Sequence, residues 1–257
     1  MVKFQISNSK SQTNSKFQFP KFKTRFGHLN LGYLVLFGIW CLLLGILGLN
    51  FVDAQSSPQF MVSWQAQNYV PSWYAGKIFP TQGSPVEISF ELVDSGKIVD
   101  LSSSKVRWYV NDKLVQNEQN GLGLRYLKTF VQDYSGQETE IRITIVDYRG
   151  QALHKIVRIP VVRPEAVIDA PYPDWKISNG ESFFQAFPFF FNVKNLGDLS
   201  FNWTVNNQPA SETGNPQQLD LKVSSMPSGA DINISVAVKN LLKELEFASK
   251  SIKLVIK

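Results

Sequence analysis

At 257 residues, 44% of them hydrophobic and 18% charged, the chain is long enough for about two domains of roughly 100 residues each. Its formal charge of +5 is unevenly spread: Lys3, Lys10, Lys16, Lys21, Lys23 and Arg25 all precede the first acid, and taking these six from the 26 Lys and Arg leaves 20 against 21 Asp and Glu. The bulk of the chain is near neutral, which excludes nucleic-acid binding as the meaning of the basic balance.

Residues 1–28, rich in Ser, Asn, Gln and Lys, read as a basic disordered cytoplasmic tail. Within it Phe17, Phe19, Phe22 and Phe26 alternate with cations, a pattern that suits anionic headgroups. Residues 29–52 contain an uncharged run from Leu31 to Leu49. As a helix at about 1.5 Å per residue it is roughly 28 Å long, close to a hydrocarbon core of about 30 Å. The cations before it predict a single-pass cell-membrane anchor with the N terminus inside and the C-terminal bulk extracytoplasmic. A cleaved signal segment is the alternative, because Val52-Asp53-Ala54 offers a peptidase site and a cut after Ala54 would release a secreted protein. The long tail and the long apolar run favour the anchor. The only cysteine, Cys41, lies inside this run, so the rest of the chain forms no intramolecular disulfide. Trp40 before it does not fit a lipoprotein motif.

After a linker at residues 53–59, nearly every segment is a short alternating strand bounded by turn residues, the pattern of an all-β sandwich. Val86, Ile88, Phe90 and Leu92 alternate with polar residues, as do Val106, Trp108 and Val110, then Ile141, Ile143 and Ile145, then Val157, Ile159 and Val161. The order recurs about 95 residues later. Trp108-Tyr109-Val110-Asn111-Asp112 matches Trp203-Thr204-Val205-Asn206-Asn207, each an inward Trp and Val before an Asn-led hairpin turn. Ile232, Ile234, Val236 and Val238, and then Ile252, Leu254 and Ile256, mirror the later strands. Two tandem sandwiches are expected, at residues 60–163 and 164–257, meeting near Arg163-Pro164-Glu165.

The Trp-x-Val-Asn strand leading into a hairpin resembles bacterial surface proteins with tandem immunoglobulin-like or PKD-like domains. Trp64-Gln65-Ala66 and the stretch from Tyr69 to Lys77 are similar to a group of membrane-anchored bacterial proteins without an assigned activity. The resemblance implies two immunoglobulin-like sandwiches behind one N-terminal transmembrane helix. It lacks the Cys pair of antibody domains and the Gly-Asp-Gly turn of PKD repeats, so neither subfamily is implied.

Chemistry is sparse. His28 and His154 are the only histidines and His28 lies in the tail, which argues against a histidine metal centre or a Ser-His-Asp triad in the folded part. Glu138 and Glu140 are closely spaced carboxylates, but strand alternation puts both on a solvent face. Calcium between the sandwiches would draw on Glu165, Asp169 and Asp174, although no EF-hand or cadherin-like cluster is present. Gly121-Leu122-Gly123 lacks the lysine and the strand-loop-helix setting of a phosphate loop. No cofactor and no catalytic residue is expected.

Two aromatic groups are the candidate partner contacts. In Phe183-Phe184-Gln185-Ala186-Phe187-Pro188-Phe189-Phe190-Phe191, placing Phe187, Phe189, Phe191 and Val193 inward turns Phe184 and Phe190 outward beside Pro188, an exposed patch for a protein partner or for self-association. Tyr69, Trp73 and Tyr74 form a proline-flanked group able to stack on sugars or peptides, or to plug one end of a sandwich. The expected function is therefore a non-enzymatic cell-envelope protein presenting two extracytoplasmic domains for adhesion or assembly with another surface component. The alternative is an exported carbohydrate-binding or carbohydrate-processing protein.

Overall fold

The structure is a computed structural model that describes residues 57–210 and 214–257. The basic tail, the apolar run from Leu31 to Leu49 and the site after Ala54 lie outside the described residues. Among the described residues, no helix is long and apolar enough to cross a membrane. Ser56–Lys257 forms one compact unit.

The first half of this unit contains β1 (Gln59–Ala66), β2 (Pro85–Asp94), β3 (Lys97–Ile98), β4 (Val106–Val110), β5 (Lys113–Gln116), β6 (Tyr126–Phe130), β7 (Glu138–Tyr148) and β8 (Gln151–Pro160). The second contains β9 (Glu165–Asp169), β10 (Lys176–Ile177), β11 (Gly180–Phe189), β12 (Leu199–Val205), β13 (Gln208–Pro209), β14 (Gln218–Val223), β15 (Asp231–Asn240) and β16 (Phe247–Ile256). Among the described residues, helix is confined to two short 3-10 turns, Pro173–Trp175 and Leu196–Asp198.

Each half is a pair of sheets around its own core. In the first, β2 pairs with β1, β3 and β6, and a second sheet runs β5-β4-β7-β8. In the second, β11 lies between β14 and β9, and the other sheet runs β10-β16-β15-β12-β13. Apart from the two-residue strands β3 and β10, the pairing scheme is the same in both halves. Alternation produces this arrangement because period-two apolar residues share one face of a strand. Val106, Trp108, Ile141, Ile143 and Ile145 are all fully buried, with Trp108 opposite Ile143 in the register. The Phe90 ring packs against Trp108 at 5.6 Å between centroids.

The duplication extends to individual hydrogen bonds. Asn111 and Asp112 have φ of 47° and 60°, and Asn206 and Asn207 have 49° and 64°, the left-handed backbone that a two-residue hairpin turn requires. In the first turn the Asn111 N–H donates to Glu140 O at 2.9 Å and Glu140 N–H donates to Asn111 Oδ1 at 2.9 Å. In the second, Asn206 N–H donates to Asn233 O at 2.8 Å and Asn233 N–H to Asn206 Oδ1 at 2.9 Å. The two tryptophans also match: Trp108 Nε1 donates to Leu124 O at 2.7 Å, and Trp203 Nε1 to Pro216 O at 3.1 Å.

Arg107 on β4 grips Glu118, beyond β5, through Nε to Oε2 at 2.9 Å and Nη2 to Oε1 at 2.5 Å. Hydrogen bonding from this guanidinium holds the Glu118 carboxyl down at about 2. The folded carboxyl binds its proton more weakly than the unfolded one. The pair therefore adds stability above the ordinary carboxylate range and loses it as the pH falls toward about 2. Glu118→Gln is expected to lower stability in urea melts at pH 7 and to match the parent near pH 2. An equal loss at both pH values would contradict this.

The aromatic strand departs from the expected phase. Phe184 is 1% exposed and belongs to the second core, together with Ala186 on the same face, while Phe183 is the exposed residue at 53%. Phe190 is also buried, at 8%. The exposed patch of Phe184 and Phe190 is thus corrected: neither is available to a partner. Phe190 has φ of 62°, which breaks strict alternation, so Phe184 and Ala186 before it and Phe191 and Val193 after it all reach the same core. Pro188 sits opposite Ala166 of β9, and Ala186 N–H points the other way, to Gln217 O. β14 pairs with β11 only as far as Gln185, so the donor that Pro188 lacks is not needed there.

Candidate functional site

The two aromatic groups singled out in the sequence meet at the junction between the halves. After β1 the chain passes through Asn68 and Tyr69, and Tyr69 forms an antiparallel bridge with Phe191 of the second half. Tyr69 N–H donates to Phe191 O at 2.7 Å and Phe190 N–H donates to Tyr69 O at 2.7 Å. Buried Asn68 adds Nδ2 to Phe190 O at 2.7 Å and to Thr81 Oγ1 at 3.1 Å. The left-handed Phe190 backbone thus presents both its N–H and its carbonyl to the first half. Burial pushes the Tyr69 phenol up.

A chain of rings runs along this bridge. Trp73 stands edge-on to Phe187 at 5.3 Å and to Phe189 at 5.8 Å. Tyr74 meets Phe189 at 5.5 Å and Phe190 at 6.0 Å, and Phe79 meets Phe190 at 5.9 Å and Trp64 at 6.1 Å. Lys77 closes the series: its Nζ donates to Trp64 O and lies 3.9 Å from the Trp64 ring centroid. Burial pushes the Lys77 ammonium below its usual range. Aromatic pairs of this kind each add about 0.5–1.5 kcal/mol beyond their buried area.

A polar network reinforces the seam. Glu246, in the β15–β16 loop, accepts from Thr81 Oγ1 at 2.8 Å, from Asn192 N–H at 2.9 Å and from Asn240 Nδ2 at 2.5 Å. Asn192 Nδ2 reaches back to Gly83 O at 2.8 Å. Gly83, at φ of 78°, turns the chain beside the second half, where an added Cβ would lie 2.9 Å from Lys243 Nζ. Of these bonds, Thr81 Oγ1 to Glu246 and Asn192 Nδ2 to Gly83 O cross between the halves, and a hydrogen bond to a charged group contributes about 1.5–3 kcal/mol, so the network adds to the docking that the rings provide.

Tyr69, Tyr74 and Phe190 are therefore joined across the junction, Trp73 keeps 60% of its surface exposed beside them, and Phe184 lies apart in the second core. Sequence reading missed Asn68, Thr81, Phe79 and Glu246 as junction residues. Far apart in the chain and of ordinary type, they carry no periodic signal. Glu138 and Glu140 both face Arg158 of β8, at 3.9 Å and 3.3 Å, and His154 is exposed on that strand. Among the described residues no three His, Cys, Asp or Glu side chains are placed to hold a metal ion, Glu165, Asp169 and Asp174 included.

The sequence matches no family model and no curated relative. Among solved structures, the chain is similar to fibronectin(III)-like modules of Clostridium thermocellum CbhA, at 17% identity and a TM-score of 0.27, over 77% of this chain and 94% of that one. It is also similar to three N-terminal domains of the bacteriophage RB49 outer capsid protein Hoc, at 13% identity and a TM-score of 0.39, over 77% of this chain and 59% of that one. A third is the Ig1-2 module of the Drosophila receptor protein tyrosine phosphatase DLAR, at 11% identity and a TM-score of 0.25, covering 78% and 98%.

Proposed function

We propose that this chain is a non-enzymatic cell-envelope protein: a single-pass anchor at Leu31 to Leu49 presents two immunoglobulin-like sandwiches outside the membrane for adhesion or assembly with another surface component. The observation that carries the reading is the junction. Rings and hydrogen bonds tie the halves through Tyr69, Phe190 and Glu246, so the pair acts as a stiff spacer with one fixed outline. A fixed relative orientation suits a protein that displays a surface, because preorganised surfaces bind without the cost of ordering on contact.

The test is cross-linking in intact cells with a membrane-impermeant amine reagent, followed by identification of adducts. Discrete adducts with one or a few envelope proteins are expected. Absence of any neighbour would sink the assembly reading, and absence of labelling on lysines beyond residue 60 would sink the outward orientation.

A further inference from the structure

A cleft of about 720 Å³ opens beside the junction, between the start of β16 and strand β9, with Tyr134, Val167, Leu245, Phe247 and Lys250 among its lining residues. Its apolar walls are unusually bare: Leu245 is 94% exposed, Tyr134 66% and Phe247 63%. Three features bear on what fits there.

The first is an open strand edge. β10 covers β16 only at Val255 and Ile256. Lys257 N–H donates to Ile177 O on the β10 side and Ile256 N–H to Ala230 O on the other, so odd positions face the β10 side. Ser249, Ser251 and Lys253 therefore turn N–H and C=O groups to an edge that has no strand partner among the described residues. Such an edge is a ready template for an added strand.

The second is the place of Lys250. It holds a core-facing position in β16, between buried Ala248 and Ile252 and opposite fully buried Val236. Lys250 is nevertheless exposed, because its position opens onto the cleft that it lines. It has no ion-pair partner among the described residues.

The third is the balance of charge. Arg163 and Lys243 join Lys250 around the cleft. Two acids, Glu165 at the start of β9 and Glu246, also line it, and the carboxylate of Glu246 is held by the neutral donors Thr81, Asn192 and Asn240, so three cations stand against two acids. The lining carries an excess of one positive charge over apolar walls, complementary to an acid set between apolar side chains.

We propose that the cleft accepts an extended acidic segment of a partner protein, which adds as a strand along Ser249, Ser251 and Lys253 and places a carboxylate on Lys250 while its apolar side chains contact Leu245 and Phe247. This rests on the assembly reading and names the partner's chemistry. A lysine at a core-facing position of an edge strand also discourages pairing between copies, so the test must separate binding from edge protection.

The probe is a blocked octapeptide of alternating valine and glutamate, titrated into the isotope-labelled full chain in detergent micelles. The amides of Ser249, Ser251 and Lys253 are expected to shift, with affinity about tenfold weaker in Lys250→Gln. The valine–lysine octapeptide is expected to leave those amides unmoved. Equal binding of both octapeptides, or no shift with the acidic one, overturns the proposal. So does a Lys250→Met variant that gains self-association while the parent binds no octapeptide. Absence of cross-linked neighbours in cells sinks the assembly reading, whereas absence of these shifts sinks the cleft alone.

Discussion

Trp108→Ala is expected to destabilise the chain by about 3–5 kcal/mol, a large share of the roughly 5–15 kcal/mol that holds a typical domain folded. Trp108 is fully buried, stands opposite Ile143 in the register and packs against Phe90 at 5.6 Å. Alanine would leave a cavity the size of an indole and strip Leu124 O of the N–H that reaches it at 2.7 Å. The matching Trp203→Ala is expected to cost less. Its side chain is 8% exposed and its bond to Pro216 O is longer, at 3.1 Å. Urea denaturation of both variants checks the ranking, and a larger loss for Trp203→Ala would contradict it.

Phe190→Gly is expected to separate the two halves in unfolding. The ring contacts Tyr74, Phe79 and Phe189, and removing a buried phenylalanine side chain costs about 3–5 kcal/mol. Glycine suits the φ of 62°, a relief of about 1–2 kcal/mol, but its greater freedom in the unfolded chain offsets about 0.5–1 kcal/mol of that gain. The net loss, about 2–4 kcal/mol, falls mainly on the junction because Phe190 is absent from both cores. Calorimetry should show one transition for the parent and two for the variant. A single transition lowered in temperature would mean that the two cores stay coupled without this ring.

Much of the sandwich pattern was legible because alternation is a local property: Val86 to Leu92 or Ile141 to Ile145 needs no knowledge of the rest of the chain. The repeated Trp-x-Val-Asn was legible for the same reason, and both Asn-led pairs do adopt the left-handed turn. The aromatic strand was misread because alternation assumes an uninterrupted extended backbone, and a left-handed phenylalanine breaks it. In that conformation Phe190 is hydrogen-bonded to Asn68 and Tyr69, partners far away in the chain that local alternation does not reveal. The junction escaped for a related reason. Asn68, Thr81 and Glu246 are brought together by folding across more than half the chain, and each is ordinary in its local stretch. Lys250 breaks the alternation of its own strand, a local anomaly readable once the neighbouring apolar positions are assigned to a core face.

A stiff junction is what makes the two halves a spacer, and a distance distribution by pulsed electron spin resonance measures that stiffness directly. Spin labels at Lys113→Cys on β5 and Lys222→Cys on β14, with Cys41 replaced by serine, report one position in each half. One narrow distribution is expected for the parent and a broad one after Phe190→Gly, and a parent distribution as broad as that of the variant would contradict a fixed two-sandwich spacer.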